Sequence, residues 1–310
     1  MFEFHDKIIN QEIDLPLLKQ NQVRLFIKRE DQLHNKISGN KYRKLKYNIL
    51  EAKKLKAQTI LTFGGAYSNH IVATAAAAKK YNLNAIGIIR GEELGNKIEH
   101  VLKNNKSLKF AYEQGMKFKF ISREDYKTKT NSFFLEKLRN EFRDFYLIPE
   151  GGTNSLAVKG CEEILSNEDK KFDYICSSVG TGGTIAGLIN TIDKHQRVIG
   201  FPALKENFLE NEIKKYSKNN TSWYLKKEYH FGGYGKFNKN LIDFINDFKK
   251  NTLIPLDPIY TGKMLYGIID MVAKGEFIKG TTILVIHTGG LQGIEGANEK
   301  LKKKGSELIE

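Results

Sequence analysis

Short apolar runs rich in β-branched residues alternate with longer helical patterns along most of the chain. In the helical segments, such as those after Lys41, from His70 and from Ser155, apolar residues recur at spacings of three or four. Strands that alternate with helices form mostly parallel sheets, because each helix returns the chain to the start of the next strand. We therefore predict an α/β fold of open, mostly parallel sheets flanked by helices. The predicted strands are Val23–Lys28, Thr59–Phe63, Ala85–Arg90, Lys117–Ser122, Phe145–Pro149, Tyr174–Val179, Val198–Ala203 and Thr282–His287.

One stretch, Lys205–Lys250, breaks this alternation. It is charged and aromatic and carries the glycine-rich sequence FGGYGKF in its middle. Such an irregular insertion into a regular α/β pattern is typical of a cover over a site, so we predict a cover or an active-site insertion here. The chain has five prolines and no Ser/Gly-rich linker, so composition marks no domain boundary.

The chain is basic, with a formal net charge of +14. Basic proteins can bind nucleic acid through sequence-independent contacts with phosphates. Here, however, the lysines are spread along the whole length, and clusters such as Lys302-Lys303-Lys304 lie in helical patterns where charge usually marks a solvated face. No nucleic-acid-binding motif is recognised, so we expect no nucleic-acid partner. A basic nucleic-acid-binding protein is kept as the alternative from a different class.

The distribution of apolar residues and cysteines indicates in which cellular compartment the protein resides. No window of about 18 uncharged apolar residues exists, and the N-terminal segment is charged where a signal peptide needs an apolar stretch. We therefore expect a cytoplasmic protein without membrane segments. The two cysteines, Cys161 and Cys176, form no disulfide-dense or metal-binding pattern, so we expect both to be buried apolar side chains and no metal to be bound.

The densest glycine signal is Gly180–Thr184, between an apolar strand pattern and a helix. Small residues there let several backbone N–H groups face one phosphate. The Walker A pattern is absent, and Ile185 stands where the dinucleotide fingerprint needs glycine. From the residues alone, a phosphate site and a structural turn without a ligand are equally good interpretations.

A second glycine turn, Ser38-Gly39-Asn40, presents Lys41 at the start of a lysine-rich helix. An amine that attacks an aldehyde must be neutral, so it needs a desolvated or positively charged pocket that lowers its pKa. Arg43, Lys44 and Lys46 supply nearby positive charge. The alternative is that Lys41, like most lysines, is a solvated surface residue.

Three further strand ends carry polar residues, and open α/β sheets bind ligands outside the carboxyl ends of their strands. Ser68 and Asn69 follow the strand at Phe63, where they either cap a helix or contact a ligand. Thr288 follows the last predicted strand, and Tyr260 lies in the turn Leu256–Lys263. In the latter two cases the glycines and the tyrosine could serve packing alone.

Taken together, these motifs resemble the tryptophan-synthase-β fold (fold type II) of pyridoxal 5′-phosphate (PLP) enzymes. Within it they are similar to the branch of 1-aminocyclopropane-1-carboxylate (ACC) deaminases and D-cysteine desulfhydrases. The matching segments, in family order, are KREDQL, SGNKYRKLKY, FGGAYSNH, IPEGGTNSLAVKG, SSVGTGGTIAG, LDPIYTGKMLYG and IHTGG.

The resemblance implies a role for each matching residue. Lys41 would carry PLP as a Schiff base, Asn69 would contact its phenolic oxygen, and Thr288 its pyridine nitrogen. The phosphate would lie in the loop of Gly180, Thr181, Gly182, Gly183 and Thr184. Ser68, Tyr260 and Tyr234 would act on the substrate, and the residues lining the substrate pocket would be Tyr67, Ser68, Asn69, His70, Tyr234 and Tyr260.

The resemblance also implies two domains with PLP between them. The large domain would comprise residues 1–43 and 149–310, and the small α/β domain residues 44–148. A homodimer is expected by the same analogy.

Two departures from the ACC deaminase pattern bear on the reaction. ACC deaminases typically carry glutamine before the Ser-Asn pair and glutamate after the DPxY tyrosine, where this chain has Tyr67 and Thr261. Without the acidic group beside the ring nitrogen, the resemblance favours desulfhydrase-like α,β-elimination from a small amino acid such as D-cysteine, giving pyruvate, ammonia and sulfide. The alternatives are ACC deamination to 2-oxobutanoate and a catalytically silent PLP-binding protein.

Overall fold

Two separate β-sheets organise the residues that the computed structural model describes, which are 8–34, 37, 39–205, 208–218 and 221–310. The strands are β1 (Asn10–Ile13), β2 (Arg24–Lys28), β3 (Thr59–Gly65), β4 (Asn84–Arg90), β5 (Met116–Ile121), β6 (Tyr146–Ile148), β7 (Tyr174–Val179), β8 (Arg197–Pro202), β9 (Trp223–Leu225) and β10 (Thr282–Ile286). One sheet has the order β1-β2-β10-β7-β8-β9, with β1 antiparallel to β2 and the other neighbours parallel. The other has the order β5-β4-β3-β6 and is parallel throughout.

Helices cover both faces of each sheet. They are α1 (Pro16–Gln20), α2 (Asn40–Lys54), α3 (Asn69–Lys80), α4 (Ile98–Asn104), α5 (Lys106–Glu113), α6 (Arg123–Lys127), α7 (Ser132–Phe142), α8 (Ser155–Cys161), α9 (Gly183–Ile189), α10 (Leu209–Lys214), α11 (Lys239–Thr252), α12 (Thr261–Ala273) and α13 (Gln292–Lys302). Short polar side chains start several of them: Asn154 Oδ1 accepts the Ala157 N–H of α8, and Asn238 Oδ1 accepts the Leu241 N–H of α11.

All eight predicted strands are present, and the predicted α/β fold is confirmed. Sequence reasoning missed the two edge strands. In β1 (NQEI) Ile13 alone is buried, and β9 has only three residues, so neither produces an apolar run. Each lies at an outer edge of the six-stranded sheet and has one neighbouring strand. Edge strands are less buried, so their sequences show a weaker apolar pattern. The predicted domain limits, 43/44 and 148/149, stay a prediction.

The described part of Lys205–Lys250 contains α10, β9, a 3₁₀ turn at Lys227–His230 and α11. Its long helix, α11, is amphipathic and buries Leu241, Ile242, Ile245 and Phe248 at helical spacing against the six-stranded sheet's core. The glycine-rich loop before α11 lies against α12.

Helix α2 is fixed to its surroundings by a buried ion pair and a close helix contact. The Arg43 guanidinium makes two hydrogen bonds with Glu30, Nε to Oε2 at 2.9 Å and a second of 2.7 Å, and both side chains are buried. One turn of α8 approaches so closely that a Cβ on Gly160 would lie 2.0 Å from the carbonyl oxygen of Arg43. Since protein interiors are close-packed, α8 can hold this position only with glycine at 160.

No helix in the described part of the chain is long and apolar enough to cross a membrane.

Gly160→Ala should destabilise the protein by about 1–3 kcal/mol or more, because the added methyl group must push α8 away from α2. The measurement is the free energy of unfolding in urea. Gly293→Ala in α13 is the matched control, since its Cβ would make an ordinary 3.4 Å contact with Ile259. Equal stability of the two variants would contradict the close packing of α2 on α8.

Candidate active site

The segments that follow β3, β7 and β10 converge between the two sheets. Asn69, which follows β3, and Gly290, which follows β10, approach each other across the gap: a Cβ on Gly290 would lie 3.1 Å from Asn69 Nδ2. Gly290 has φ +92°, a conformation that favours glycine. The carboxyl ends of both parallel sheets therefore enclose one site, as expected for open α/β sheets.

Lys41 enters this site from a turn that is held against the end of β10. Gly39 has φ +58°, and a Cβ on it would lie 2.0 Å from the carbonyl oxygen of Thr288. The Asn40 N–H donates to the same carbonyl at 3.2 Å. Only glycine fits this approach, so Gly39 fixes where α2 begins and where Lys41 points. Ser38 of the same motif lies outside the described residues.

Asn40 connects Lys41 with the predicted phosphate loop. Lys41 Nζ donates to Asn40 Oδ1 at 3.3 Å, and Asn40 Nδ2 donates to Thr184 Oγ1 at 2.8 Å. The predicted lysine and the predicted loop are thus neighbours, although Gly180 lies 139 positions after Lys41 in the sequence. The loop turns into α9 through Gly182, at φ +82°.

Lys44, one helical turn after Lys41, lies in the same desolvated volume. Burial, together with the Lys44 ammonium, lowers the pKa of Lys41 to about 7, and burial lowers the pKa of Lys44 to about 8. Like charges close together in a poorly solvated space disfavour each other's protonation. Lowering the pKa increases the share of the Lys41 amine that is uncharged near neutral pH, the form that can attack a carbonyl.

Sequence reasoning assigned no ligand role to Lys44. Its ammonium donates to the Gly151 carbonyl at 3.0 Å, to Thr153 Oγ1 at 2.9 Å and to Thr181 Oγ1 at 3.3 Å. A Cβ on Gly183 would lie 3.3 Å from Lys44 Nζ. A cation is therefore built into the wall of the predicted phosphate loop. The i+3 spacing from Lys41 was the available signal, because residues three apart share a helix face.

Ser68 and Asn69 start α3. Ser68 is the N-cap residue, and its Oγ accepts the Ile71 N–H at 3.4 Å, so the capping alternative holds for this side chain. Asn69 Oδ1 is buried without a hydrogen-bond partner in the described part of the chain. A buried unpaired oxygen is unfavourable, so this amide is suited to a ligand.

The side chains of His70 and Tyr67 contact other parts of the structure. His70 is buried, and its Nε2 lies 2.8 Å from Thr62 Oγ1, whose hydroxyl donates to the Ile148 carbonyl, so His70 must donate through Nε2. Burial and the charges of Lys41 and Lys44 hold the His70 pKa well below its usual value.

Tyr67 packs on α13. A Cβ on Gly296 would lie 2.9 Å from its ring, and its hydroxyl lies 3.5 Å from Glu299 Oε2. The predicted substrate contacts of His70 and Tyr67 stay predictions.

Thr288 has a hydroxyl neighbour that sequence reasoning left unassigned. Its Oγ1 lies 3.1 Å from Ser178 Oγ, and both residues are buried. Ser178 belongs to β7, and Thr288 follows the adjacent strand β10. The pair is neutral, and no acidic side chain hydrogen-bonds to either hydroxyl within the described residues.

Tyr260 is positioned by a buried carboxylate. Asp257 Oδ2 accepts the N–H groups of Ile259 and Tyr260, each at 2.9 Å, and Oδ1 accepts the N–H (2.9 Å) and hydroxyl (2.7 Å) of Thr261. Four donors to one carboxylate fix the turn that starts α12. The tyrosine ring lies against the phosphate loop, since a Cβ on Gly180 would be 3.4 Å from its hydroxyl.

Tyr234 reaches the same place from the glycine-rich loop. Its ring centroid is 6.2 Å from that of Tyr260, in an edge-on contact. Burial raises the pKa of both tyrosines, that of Tyr260 well above its ordinary value, so both phenols stay protonated at neutral pH. The structure thus brings together Lys41, Asn69, the phosphate loop, Thr288 and the two tyrosines.

This arrangement of two parallel sheets around a desolvated lysine and a glycine loop defines a cofactor-binding α/β protein. The chain belongs to the family of pyridoxal-phosphate dependent enzymes, whose model matches residues 10–289. PLP is accordingly its cofactor.

Named relatives show which members of this enzyme family the chain is similar to. A Pyrococcus horikoshii protein called "Putative 1-aminocyclopropane-1-carboxylate deaminase" is 35% identical, over 89% of this chain and 87% of its own length. The mitochondrial bifunctional D-cysteine desulfhydrase/1-aminocyclopropane-1-carboxylate deaminase of Arabidopsis thaliana is 33% identical, over 88% and 74%. A crystal structure of an "ACC deaminase homologue" superposes with a TM-score of 0.80 at 30% identity, covering 97% of this chain and 94% of that one.

The residues present fit PLP. The unpaired Oδ1 of Asn69 leaves a polar group available at the site, and the Lys44 ammonium, bonded to Thr181 of the glycine loop, supplies a positive charge that matches a phosphate dianion. Lys41 has the lowered pKa that attachment to an aldehyde requires.

Lys44→Met should raise the pKa of Lys41 above 7, because a neighbouring positive charge disappears. The measurement is the pH dependence of Lys41 labelling by pyridoxal and borohydride, followed by mass spectrometry; pyridoxal lacks the phosphate, so phosphate binding does not enter. The midpoint should move to higher pH. Lys46→Met is the control on the same helix, where Lys46 pairs with Glu163 at 2.6 Å. An unchanged midpoint in Lys44→Met would show that the two lysines do not interact.

Proposed function

We propose that the protein is a PLP-dependent lyase that performs α,β-elimination on a small amino acid, with D-cysteine as the preferred substrate and pyruvate, ammonia and sulfide as products. The observation that carries the proposal is the neutral hydroxyl pair of Ser178 and Thr288 at the predicted ring-nitrogen position. A neutral partner supports a protonated ring less than a carboxylate does. Elimination of a good leaving group such as thiolate makes the smallest demand on that support.

The residue after Tyr260 supports the same assignment. Where ACC deaminases are expected to have glutamate, Thr261 is fully buried and donates its hydroxyl to Asp257. The Asp257 carboxylate is itself taken up by four donors of the turn. Neither residue therefore replaces the missing acidic group.

We assign cofactor binding to residues of four segments. Lys41 is the attachment point, Asn69 contacts the ring oxygen, and Thr288 contacts the ring nitrogen. Lys44 supplies the positive charge for the phosphate. The phosphate-loop residues are Gly180, Thr181, Gly182, Gly183 and Thr184.

Bound PLP supplies an electron sink for the bond that breaks at the substrate α-carbon. Lys41, with a pKa of about 7, can accept the α-proton as a general base. Tyr260 and Tyr234 stay protonated and can donate a proton to the departing sulfur. Ser68 lies at the N-terminus of α3, where we assign it to the substrate carboxylate.

ACC deamination is the second candidate activity, because the relatives at 33% and 35% identity carry that activity in their names. A D-cysteine desulfhydrase of Klebsiella pneumoniae is 28% identical over 89% of this chain, so names alone do not separate the two reactions. We further propose a homodimer, on the basis of the resemblance in sequence, and a cytoplasmic location, on the basis of the sequence's lack of a long uncharged apolar window. Light scattering of the purified protein tests the dimer.

The deciding experiment is a ketoacid assay on a panel of D-cysteine, L-cysteine, ACC, β-chloro-D-alanine and D-serine. We expect pyruvate and sulfide from D-cysteine and little or no 2-oxobutanoate from ACC. Lys41→Ala should abolish turnover and borohydride trapping of PLP, whereas Lys46→Ala should retain both. 2-Oxobutanoate from ACC as the main product would establish the second activity, and no ketoacid from any substrate would leave a silent PLP-binding protein.

Tyr260→Phe and Tyr234→Phe should each lower kcat for D-cysteine by about 10²–10⁴-fold if the phenol donates a proton in the rate-limiting step. PLP binding, followed by its absorption, should be retained because neither phenol is assigned to the cofactor. Tyr112→Phe is the control, since Tyr112 is exposed on α5. Wild-type kcat in both active-site variants would show that neither tyrosine donates a proton in the rate-limiting step.

A further inference from the structure

The loop that carries Tyr234 lies along helix α12. We call residues 229–235 the cover segment. At its start, the Tyr229 ring occupies the space that a side chain at Gly267 would fill, since a Cβ there would lie 2.8 Å from the ring. The Tyr229 hydroxyl donates to Asp270 Oδ2 at 2.7 Å.

The later contacts follow α12 back toward its N-terminus. The Phe231 ring meets that of Tyr266 edge-on, with centroids 5.0 Å apart. Tyr234 then meets Tyr260, the N-cap residue of α12. The cover segment therefore runs antiparallel to the helix, and each successive contact lies nearer the active site.

Lys263 lies in the middle of this series. Its side chain is 1% exposed, and Nζ donates to the carbonyl oxygens of His230 and Gly233, each at 2.8 Å. Gly233 directly precedes Tyr234. The ammonium thus binds the backbone of the cover segment on the N-terminal side of the tyrosine.

The cover segment has little regular structure of its own. Phe231, Gly232, Gly233 and Gly235 all have positive φ, between +52° and +108°. Its turns are closed by the Gly233 N–H, which donates to the His230 carbonyl (3.0 Å), and by the N–H of the following residue Lys236, which donates to the Gly233 carbonyl (3.2 Å). These are the same two carbonyls that Lys263 binds, so the lysine links both turns of the segment to α12.

The unfavourable burial of the Lys263 ammonium must be offset by the hydrogen bonds that it makes. Removing it from water is unfavourable, and a methionine of similar length would fill the same space without that penalty. Burial lowers the pKa of Lys263 to about 8, opposed by the charge of Asp257. The directional bonds to two carbonyls are what an apolar side chain could not provide.

We propose that Lys263 is a positioning residue that holds Tyr234 against Tyr260 by binding the backbone of the cover segment. The consequence for catalysis rests on the proposed function of Tyr234. The attachment of the cover segment to α12 is independent of that proposed function.

The test uses the PLP-loaded enzyme and two readouts. In Lys263→Met, hydrogen exchange by mass spectrometry should accelerate by about tenfold or more in peptides covering 231–237, since exchange follows local opening. kcat for D-cysteine should fall by about tenfold to 10²-fold with a smaller change in KM, because a displacement of about 1 Å can have that effect. Lys109→Met is the control, in which an exposed lysine of α5 that pairs with Glu113 is replaced far from the cover segment in the sequence.

A double-mutant cycle with Tyr234→Phe separates positioning from general damage. If Lys263 acts through Tyr234, Lys263→Met should have little further effect on kcat in the Tyr234→Phe background. Additive losses would overturn the positioning role. Wild-type exchange and wild-type kcat in Lys263→Met would overturn the proposal entirely.

A second variant changes the cover segment instead of Lys263. Gly233→Ala strains a residue at φ +108° while leaving α12 intact. Faster exchange and lower kcat are expected again, and wild-type values would overturn the proposal even if Lys263→Met does not fold. Should Tyr234→Phe keep wild-type kcat, the proposed function of Tyr234 is wrong, and exchange alone decides whether Lys263 holds the segment.

Discussion

The burial of two lysines on one helix is the constraint around which the site is built. Lys41 and Lys44 share a poorly solvated volume, and their pKa values fall to about 7 and about 8. Lys44 donates to one carbonyl and two hydroxyls, whereas among the described residues Lys41 has one weak hydrogen bond, to Asn40. The chain therefore keeps one cation for an anionic group and makes the other amine easy to deprotonate.

The pKa values of the two lysines stay low only if α2 cannot move and expose their side chains to solvent. Three contacts prevent this: Gly39 against the Thr288 carbonyl, the buried Arg43–Glu30 pair, and Gly160 of α8. Breaking a buried ion pair leaves an uncompensated charge and is strongly destabilising, typically by about 3–5 kcal/mol. The stability of the fold and the low pKa of Lys41 thus depend on the same helix.

The sequence allowed prediction of the eight apolar strands and the glycine turns, because both are signalled by local residue pattern. The edge strands β1 and β9 escaped detection because little of them is buried. Lys44, Asp257 and Lys263 escaped for a different reason: a lysine or an aspartate reads as a surface residue until its tertiary neighbours are known. Of these, Lys44 alone had a local signal, its spacing from Lys41, whereas Lys263 gains its meaning from a loop about 30 residues away.

The two halves of the site belong to different sheets. Tyr234 and Tyr260 are held by α12, which packs on β7 and β8, while Ser68 and Asn69 start α3, which packs on β3 and β4. A rotation of one sheet against the other would widen the gap at Asn69 and Gly290 and leave the tyrosine pair undisturbed. The two proposed proton donors would therefore keep their contact with each other whatever the width of the cleft at Asn69.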